Sequence, residues 1–317
     1  KGSDVLALVE EDAAFNMSVA NSVEETAFDG ISGFETLAYG YKNSADTVVP
    51  YTLSAGNTHT FGTGFQNSGI ATVDATYAQA AGAQALTLDF SALTSASPVI
   101  VKGAKDGDVV AKITGGAGND TIYDGKTSSA AADTLVGGEG ADTFYVSAAT
   151  TATLISDFGK GGTDVLIVSA DGVGTTVTVS NDYVASSSTA NGLSVAGVVL
   201  NAASGVDINM ASAGGTFGYT INGNSASAST QQGSSKNDAI TGVDVYADSL
   251  VGNAGNDTLQ GKDGADTVVA GAGNDVIKVA TGENIATDSI DAGTGTDTID
   301  LANGTTTFTG TFDFDLI

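Results

Sequence analysis

Residues 252–278 read GNAGNDTLQ, GKDGADTVV and AGAGNDVIK, three consecutive nonapeptides built on Gly-Gly-x-Gly-x-Asp-x-U-x, where U is a large apolar residue. The fourth residue is Gly255, Gly264 and Gly273, the sixth is Asp257, Asp266 and Asp275, and the eighth is Leu259, Val268 and Ile277. Glycine takes positive φ at little steric cost, so the first six residues of each unit turn, while Asp-x-U-x alternates as a strand does. Two units complete one coil. Asp257 then stacks on Asp275 and Asp248 on Asp266, with the two pairs on opposite edges. Stacked coils lie roughly 4.8 Å apart, and bare carboxylates at that distance repel by about 3 kcal/mol at an effective dielectric of about 20. A cation must lie between them. A turn that offers carboxylate and backbone carbonyl oxygens, without thiol or imidazole, suits Ca2+.

The same phase recurs upstream. GGAGNDTIY (115–123) matches the pattern throughout, and GGEGADTFY (137–145) follows. Between them lies a half-coil, Asp133-Thr-Leu-Val136, with DGKTSSAAA (124–132) as an insertion in place of its turn. Asp120 and Asp142 are expected to stack on the other edge. Repeats resume at NDAIT (237–241) and at Asp248-Ser-Leu-Val251, and after ATGENIATD (280–288) they end with AGTGTDTID (292–300). Ala292 replaces a glycine before Asp297, and Val243 and Tyr246 stand at glycine positions before Asp248, so both turns depart from the pattern. The candidate calcium-site residues are Gly116, Gly118, Asp120, Asp133, Gly138, Gly140, Asp142, Asp248, Gly255, Asp257, Gly264, Asp266, Gly273, Asp275 and Asp297, and Asp164 stands with Asp133, Asp248 and Asp297 as a further candidate. Isolated Asp108 and Asp182 read instead as turn formers that bond their own backbone. Ile122, Leu135, Phe144, Leu259, Val268, Ile277 and Ile299 are expected inside the coil, and Thr258 and Gln260 outside.

These nonapeptides resemble the RTX, or haemolysin-type, calcium-binding repeats, a parallel β-helix repeat. The resemblance implies a right-handed parallel β-roll with calcium between successive turns. ISGFETLAYG (31–40) and LTLDFSALTSASPVIVKGAKDGDVVAKITGGAGNDTI (86–122) are similar to the strand-rich lead-in of bacterial S-layer proteins of the RTX type.

Composition agrees with an all-β solenoid carrying irregular β-rich insertions. With 43 Gly, 2 Pro, no Trp and 7% aromatics in 317 residues, the chain lacks the bulk for a thick core, whereas stacked coils need only a thin apolar ladder. The expected organisation is a strand-rich lead-in (1–114), a first repeat block (115–170), a Ser/Ala/Gly-rich β or loop insertion (171–235), and a second block (236–317) ending in an edge strand around Phe308 to Leu316. A net charge of −27 argues against nucleic acid and anionic membranes as partners and for cations. The absence of cysteine excludes disulfides and thiolate sites. No apolar run reaches the ~18 residues of a membrane span. The N-terminal stretch lacks the apolar core of a signal peptide and reads as a cut inside a larger protein, which type I secretion from a C-terminal signal permits.

No catalytic constellation emerges. The single His59, in NTHTF, has no His-Glu-x-x-His context and reads as a surface strand residue. Gly192-Leu-Ser194-Val-Ala196 lacks the second glycine of a nucleophile elbow. The chain therefore reads as a non-enzymatic, secreted calcium-binding segment of a bacterial S-layer or surface lattice. It would self-associate, with a surface polysaccharide as a further partner. The alternatives are an RTX adhesin or carbohydrate-binding module, and the non-catalytic C-terminal roll of a secreted enzyme.

Overall fold

A computed structural model describes residues 5–8 and 34–301, apart from 43, 54–56, 81, 95–96, 107, 126–132, 147–152, 160, 169–174, 180, 192–196, 225–226, 281 and 284–286. The tail around Phe308, the Gly192–Ala196 pentapeptide and most of the 124–132 insertion lie outside the described residues. The chain divides into two compact units, Lys1–Thr175 and Thr176–Ile317.

In the first unit two ladders of parallel strands alternate along the chain. One runs through Thr36–Tyr39, Thr72–Asp74, Ile100–Lys102, Thr121–Tyr123, Thr143–Val146 and Val165–Val168. The other holds Asn57–Thr60, Gln84–Asp89, Val109–Thr114, Thr134–Val136 and Leu154–Ile155. Each passage through both ladders is one coil, which places Ile122, Leu135 and Phe144 in the lumen, all buried. A ladder of such residues supplies the core, each contributing about 1.5 to 3 kcal/mol on burial. Outward at the ninth position, Tyr123 and Tyr145 stack at 4.5 Å.

Two features were not foreseen. A six-residue helix, Thr63–Ser68, ends at Gly69 in the left-handed conformation, and its Phe65 packs on Phe61 and Phe90. His59 is not a surface residue but is only 2% exposed, because its strand turns it inward against the ring of Tyr39 at 5.3 Å. Tyr39 in turn meets Tyr51 edge to face. Neither His59 ring nitrogen has a hydrogen-bond partner, and burial lowers the imidazole pKa to about 4.

The second unit repeats the design. One ladder comprises Val198–Ala202, Tyr219–Asn222, Ala239–Thr241, Thr258–Gln260, Val276–Val279 and Thr298–Leu301. The other comprises Tyr183–Val184, Ile208–Asn209, Thr230–Gln232, Ser249–Ala254, Thr267–Ala272 and Ser289–Asp291. The Ser/Ala/Gly-rich stretch thus contributes strands. Leu259, Val268 and Ile277 are buried, while Thr258 and Gln260 outside are half-buried rather than fully exposed. Ile299 is only half-buried, against expectation, because its strand pairs on one side with Val276–Val279 and is the last one described in its ladder.

Candidate metal centres

In the repeat blocks an aspartate stands immediately before most strands, and one oxygen of that aspartate ties the coils together. Oδ1 accepts the backbone N–H of the aspartate one coil earlier. Asp120 donates to Asp142 (2.8 Å) and Asp142 to Asp164 (2.9 Å). Asp238 donates to Asp257, Asp257 to Asp275 (both 2.7 Å) and Asp275 to Asp297 (2.9 Å). On the opposite edge Asp248 donates to Asp266 (2.8 Å) and Asp266 to Asp288 (3.0 Å). The expected stacking of Asp257 on Asp275 and of Asp248 on Asp266 is therefore observed. Asp133 begins a half-coil as anticipated and takes the N–H of Ala111 (2.7 Å).

The other oxygen carries the chemistry. In Asp142, Asp257, Asp266 and Asp275, Oδ2 is buried and accepts no hydrogen bond. A buried charged acceptor left unmatched costs upwards of about 1 to 3 kcal/mol, so these turns call for a proton or a cation. Burial is the main reason that the pKa of Asp142 rises to about 8, that of Asp257 to about 7 and that of Asp266 to about 6. Neighbouring carboxylates add to it: Asp164, Asp120 and Asp157 around Asp142, and Asp288, Asp248 and Glu283 around Asp266.

The glycines shape the space. A Cβ on Gly252 would meet both Oδ2 of Asp257, at 2.5 Å, and the carbonyl oxygen of Ala270. One on Gly261 would lie 2.5 Å from Oδ2 of Asp266, and one on Gly137 would meet Oδ2 of Asp142. The first glycine of the unit thus leaves room where a carboxylate oxygen and, at Gly252, a carbonyl of the next coil converge. Fourth-position glycines serve close approach instead. Side chains at Gly255, Gly264 and Gly273 would strike the backbones of Lys236, Tyr246 and Gly255, and at Gly118 and Gly140 those of Ser97 and Gly118. Gly138 similarly faces the carbonyl of Gly116. Among the described residues no three His, Asp or Glu side chains gather as a metal-binding group. At Asp257 the carboxylate oxygen converges with the Ala270 carbonyl, the hard oxygen set that fits calcium.

Several residues escaped the sequence reading. Asp238 and Asp288 occupy rungs of the ladders. Their signal is Asp-x-Ile, in DAI and DSI: Asp238 stands in the NDAIT repeat five residues after Gly233, whereas Glu283 takes that glycine's place before Asp288. Asp157 accepts the N–H groups of Gly137 and Gly138, and Glu283 accepts the N–H of Ala280 (2.6 Å). Oδ1 of Asp182 takes the N–H of Asp207 (3.0 Å), a link between coils of the opposite polarity, since its donor lies one coil later. At Asp108 the turn is closed by Asp106, whose Oδ1 accepts the Asp108 N–H.

Fold and site together define a parallel β-solenoid whose turns bind calcium. The profile of the RTX calcium-binding nonapeptide repeat (4 copies) matches residues 112–126, 127–148 and 244–277. The chain carries RTX repeats in both of its units. Searches of curated proteins and of solved structures returned no match. Among the described residues no helix is long and apolar enough to cross a membrane.

Proposed function

We propose that this chain is a structural, extracellular segment of a bacterial S-layer or surface lattice, in which calcium drives both folding and assembly. The observation that supports this reading is the placement of the carboxylates. They lie on coil edges, each bridging to the coil before it. Calcium there acts on the stability of the roll itself. The strongly acidic surface implied by the −27 charge would repel other copies until cations screen it, which links assembly to the same ion. Secretion by a type I route and self-association belong to this reading. Electron microscopy of the protein with and without calcium tests it: ordered sheets or filaments that dissolve in EGTA are expected, and discrete particles in both conditions would refute the lattice role.

A second reading is a carbohydrate-binding module. A shallow groove of about 710 Å3, lined by Thr216, Phe217, Tyr219, Lys236, Asn237 and Asn256 among others, combines an aromatic ring with amides and hydroxyls. Binding to a glycan array, lost in Phe217→Ala, would favour it over the lattice.

A further inference from the structure

Eight of the ladder aspartates fall into two groups by what their second oxygen does. In Asp142, Asp257, Asp266 and Asp275 it is open. In four others the turn bends back and closes on its own carboxylate. Oδ2 of Asp120 accepts the N–H of Gly116 at 2.7 Å and that of Asp164 the N–H of Gly159 at 2.6 Å. Oδ2 of Asp248 accepts the N–H of Val243 at 2.7 Å. At Asp238 both the N–H (2.6 Å) and the hydroxyl (2.9 Å) of Ser234 donate to Oδ2.

Resting on the calcium reading above, we infer that calcium is held at the open turns of Asp142, Asp257, Asp266 and Asp275, and that the closed turns of Asp120, Asp164, Asp238 and Asp248 fold without it. A cation approaching Oδ2 of Asp238 would meet the positive ends of two donors already seated there. It would also strand the amide of Ser234, a fully buried residue, without an acceptor. At an open turn the cation meets a bare oxygen. The positions of the closed turns support the division. Asp120, Asp238 and Asp248 each stand first in their ladder, their Oδ1 taking the N–H of Val99, Tyr219 and Ser229 rather than that of another aspartate. Asp164 stands at the far end of the Asp120 ladder. The closed turns thus act as calcium-independent ends from which the calcium-dependent coils continue. This departs from the consensus, since residues 115–123 match it throughout and yet Asp120 is closed.

Calcium titration of the full chain by calorimetry tests the division. Asp142→Asn and Asp257→Asn are each expected to remove one ion from the count or weaken one step at least about tenfold. Asp120→Asn and Asp238→Asn, which remove a carboxylate neighbouring Asp142 and Asp257, are expected to leave the ion count unchanged and to weaken any step by well under about tenfold. Where Asp238→Asn fails to fold, Ser234→Ala serves, since it removes only the hydroxyl donor and keeps the amide bond; unchanged calcium binding is expected. A drop in count for Asp120→Asn or Asp238→Asn equal to that for Asp257→Asn, or tighter calcium binding in Ser234→Ala, overturns the division. A parent chain that binds no calcium overturns the calcium reading itself, a separate outcome.

Discussion

Without calcium, raising the pH should unfold the repeats, and calcium should reverse the effect. In an unfolded chain aspartate titrates at about 3.9. In the folded chain burial holds Asp266 up to about 6, Asp257 to about 7 and Asp142 to about 8. Between about pH 4 and about pH 8 the folded state therefore keeps protons that the unfolded state has lost, and stability falls as pH rises through that window. Their contribution is complete below about pH 4 and gone above about pH 8. Calcium replaces the proton at the same oxygen, so its benefit should grow over the same window. At about ten times the dissociation constant each independent site adds about 1.4 kcal/mol. The three open carboxylates of the unit Thr176–Ile317 then supply about 4 kcal/mol, a large share of the ~5 to 15 kcal/mol of an ordinary domain. For a unit of that size this corresponds to roughly 10 to 20 °C in melting temperature. Circular dichroism melts from about pH 4 to about pH 9, in EGTA and in calcium, make the measurement. A melting temperature in EGTA that stays flat or climbs across the window, with the same calcium increment at both ends, would refute the reasoning.

Leu259→Ala should cost about 2 to 5 kcal/mol and Gln260→Ala almost nothing, by denaturant titration in calcium; equal small losses would mean the lumen phase is misplaced. Gly252→Ala puts a methyl between Oδ2 of Asp257 and the carbonyl of Ala270, so it should lose calcium binding at that turn as well as stability, and a variant that titrates like the parent would contradict the cradle. Lys262 holds φ at 71°, a left-handed conformation that costs a side chain about 1 to 2 kcal/mol, so Lys262→Gly is expected to be neutral or to raise the melting temperature. His59 is held neutral by burial, with its pKa lowered to about 4, whereas the unfolded imidazole gains its proton below about 6.5; stability of the first unit should fall as pH drops between those values, and His59→Leu should abolish that acid loss.

The nonapeptides disclosed the period and the phase because Gly, Asp and an apolar residue recur at fixed places, and those places dictate which side chain enters the lumen. Ile122, Phe144, Leu259 and Ile277 could be assigned to it on that ground alone. Asp288 was hidden because extra residues before it break the nonapeptide spacing while strand register is preserved, Val268 still facing Ile290. The difference between Asp120 and Asp142 was also invisible. Both sit in Gly-Gly-x-Gly-x-Asp, and what separates them is whether an amide four residues back folds onto the carboxylate, a matter of backbone path. His59 was misplaced for a related reason: NTHTF looks polar, and only the coils around it reveal Tyr39 packed edge-on against the ring.

The spacing between rungs is 18 residues from Asp257 to Asp275 and from Asp248 to Asp266, 19 from Asp238 to Asp257, and 22 from Asp275 to Asp297 and from Asp120 to Asp142. Strand pairing continues in register through all of them, so the surplus is absorbed at the edges. A roll built this way is a ready display scaffold. Foreign peptides of a few residues spliced beside Glu283, where the chain already carries such a surplus, would project from the rim at a pitch set by the coils, and the lumen would not register their presence.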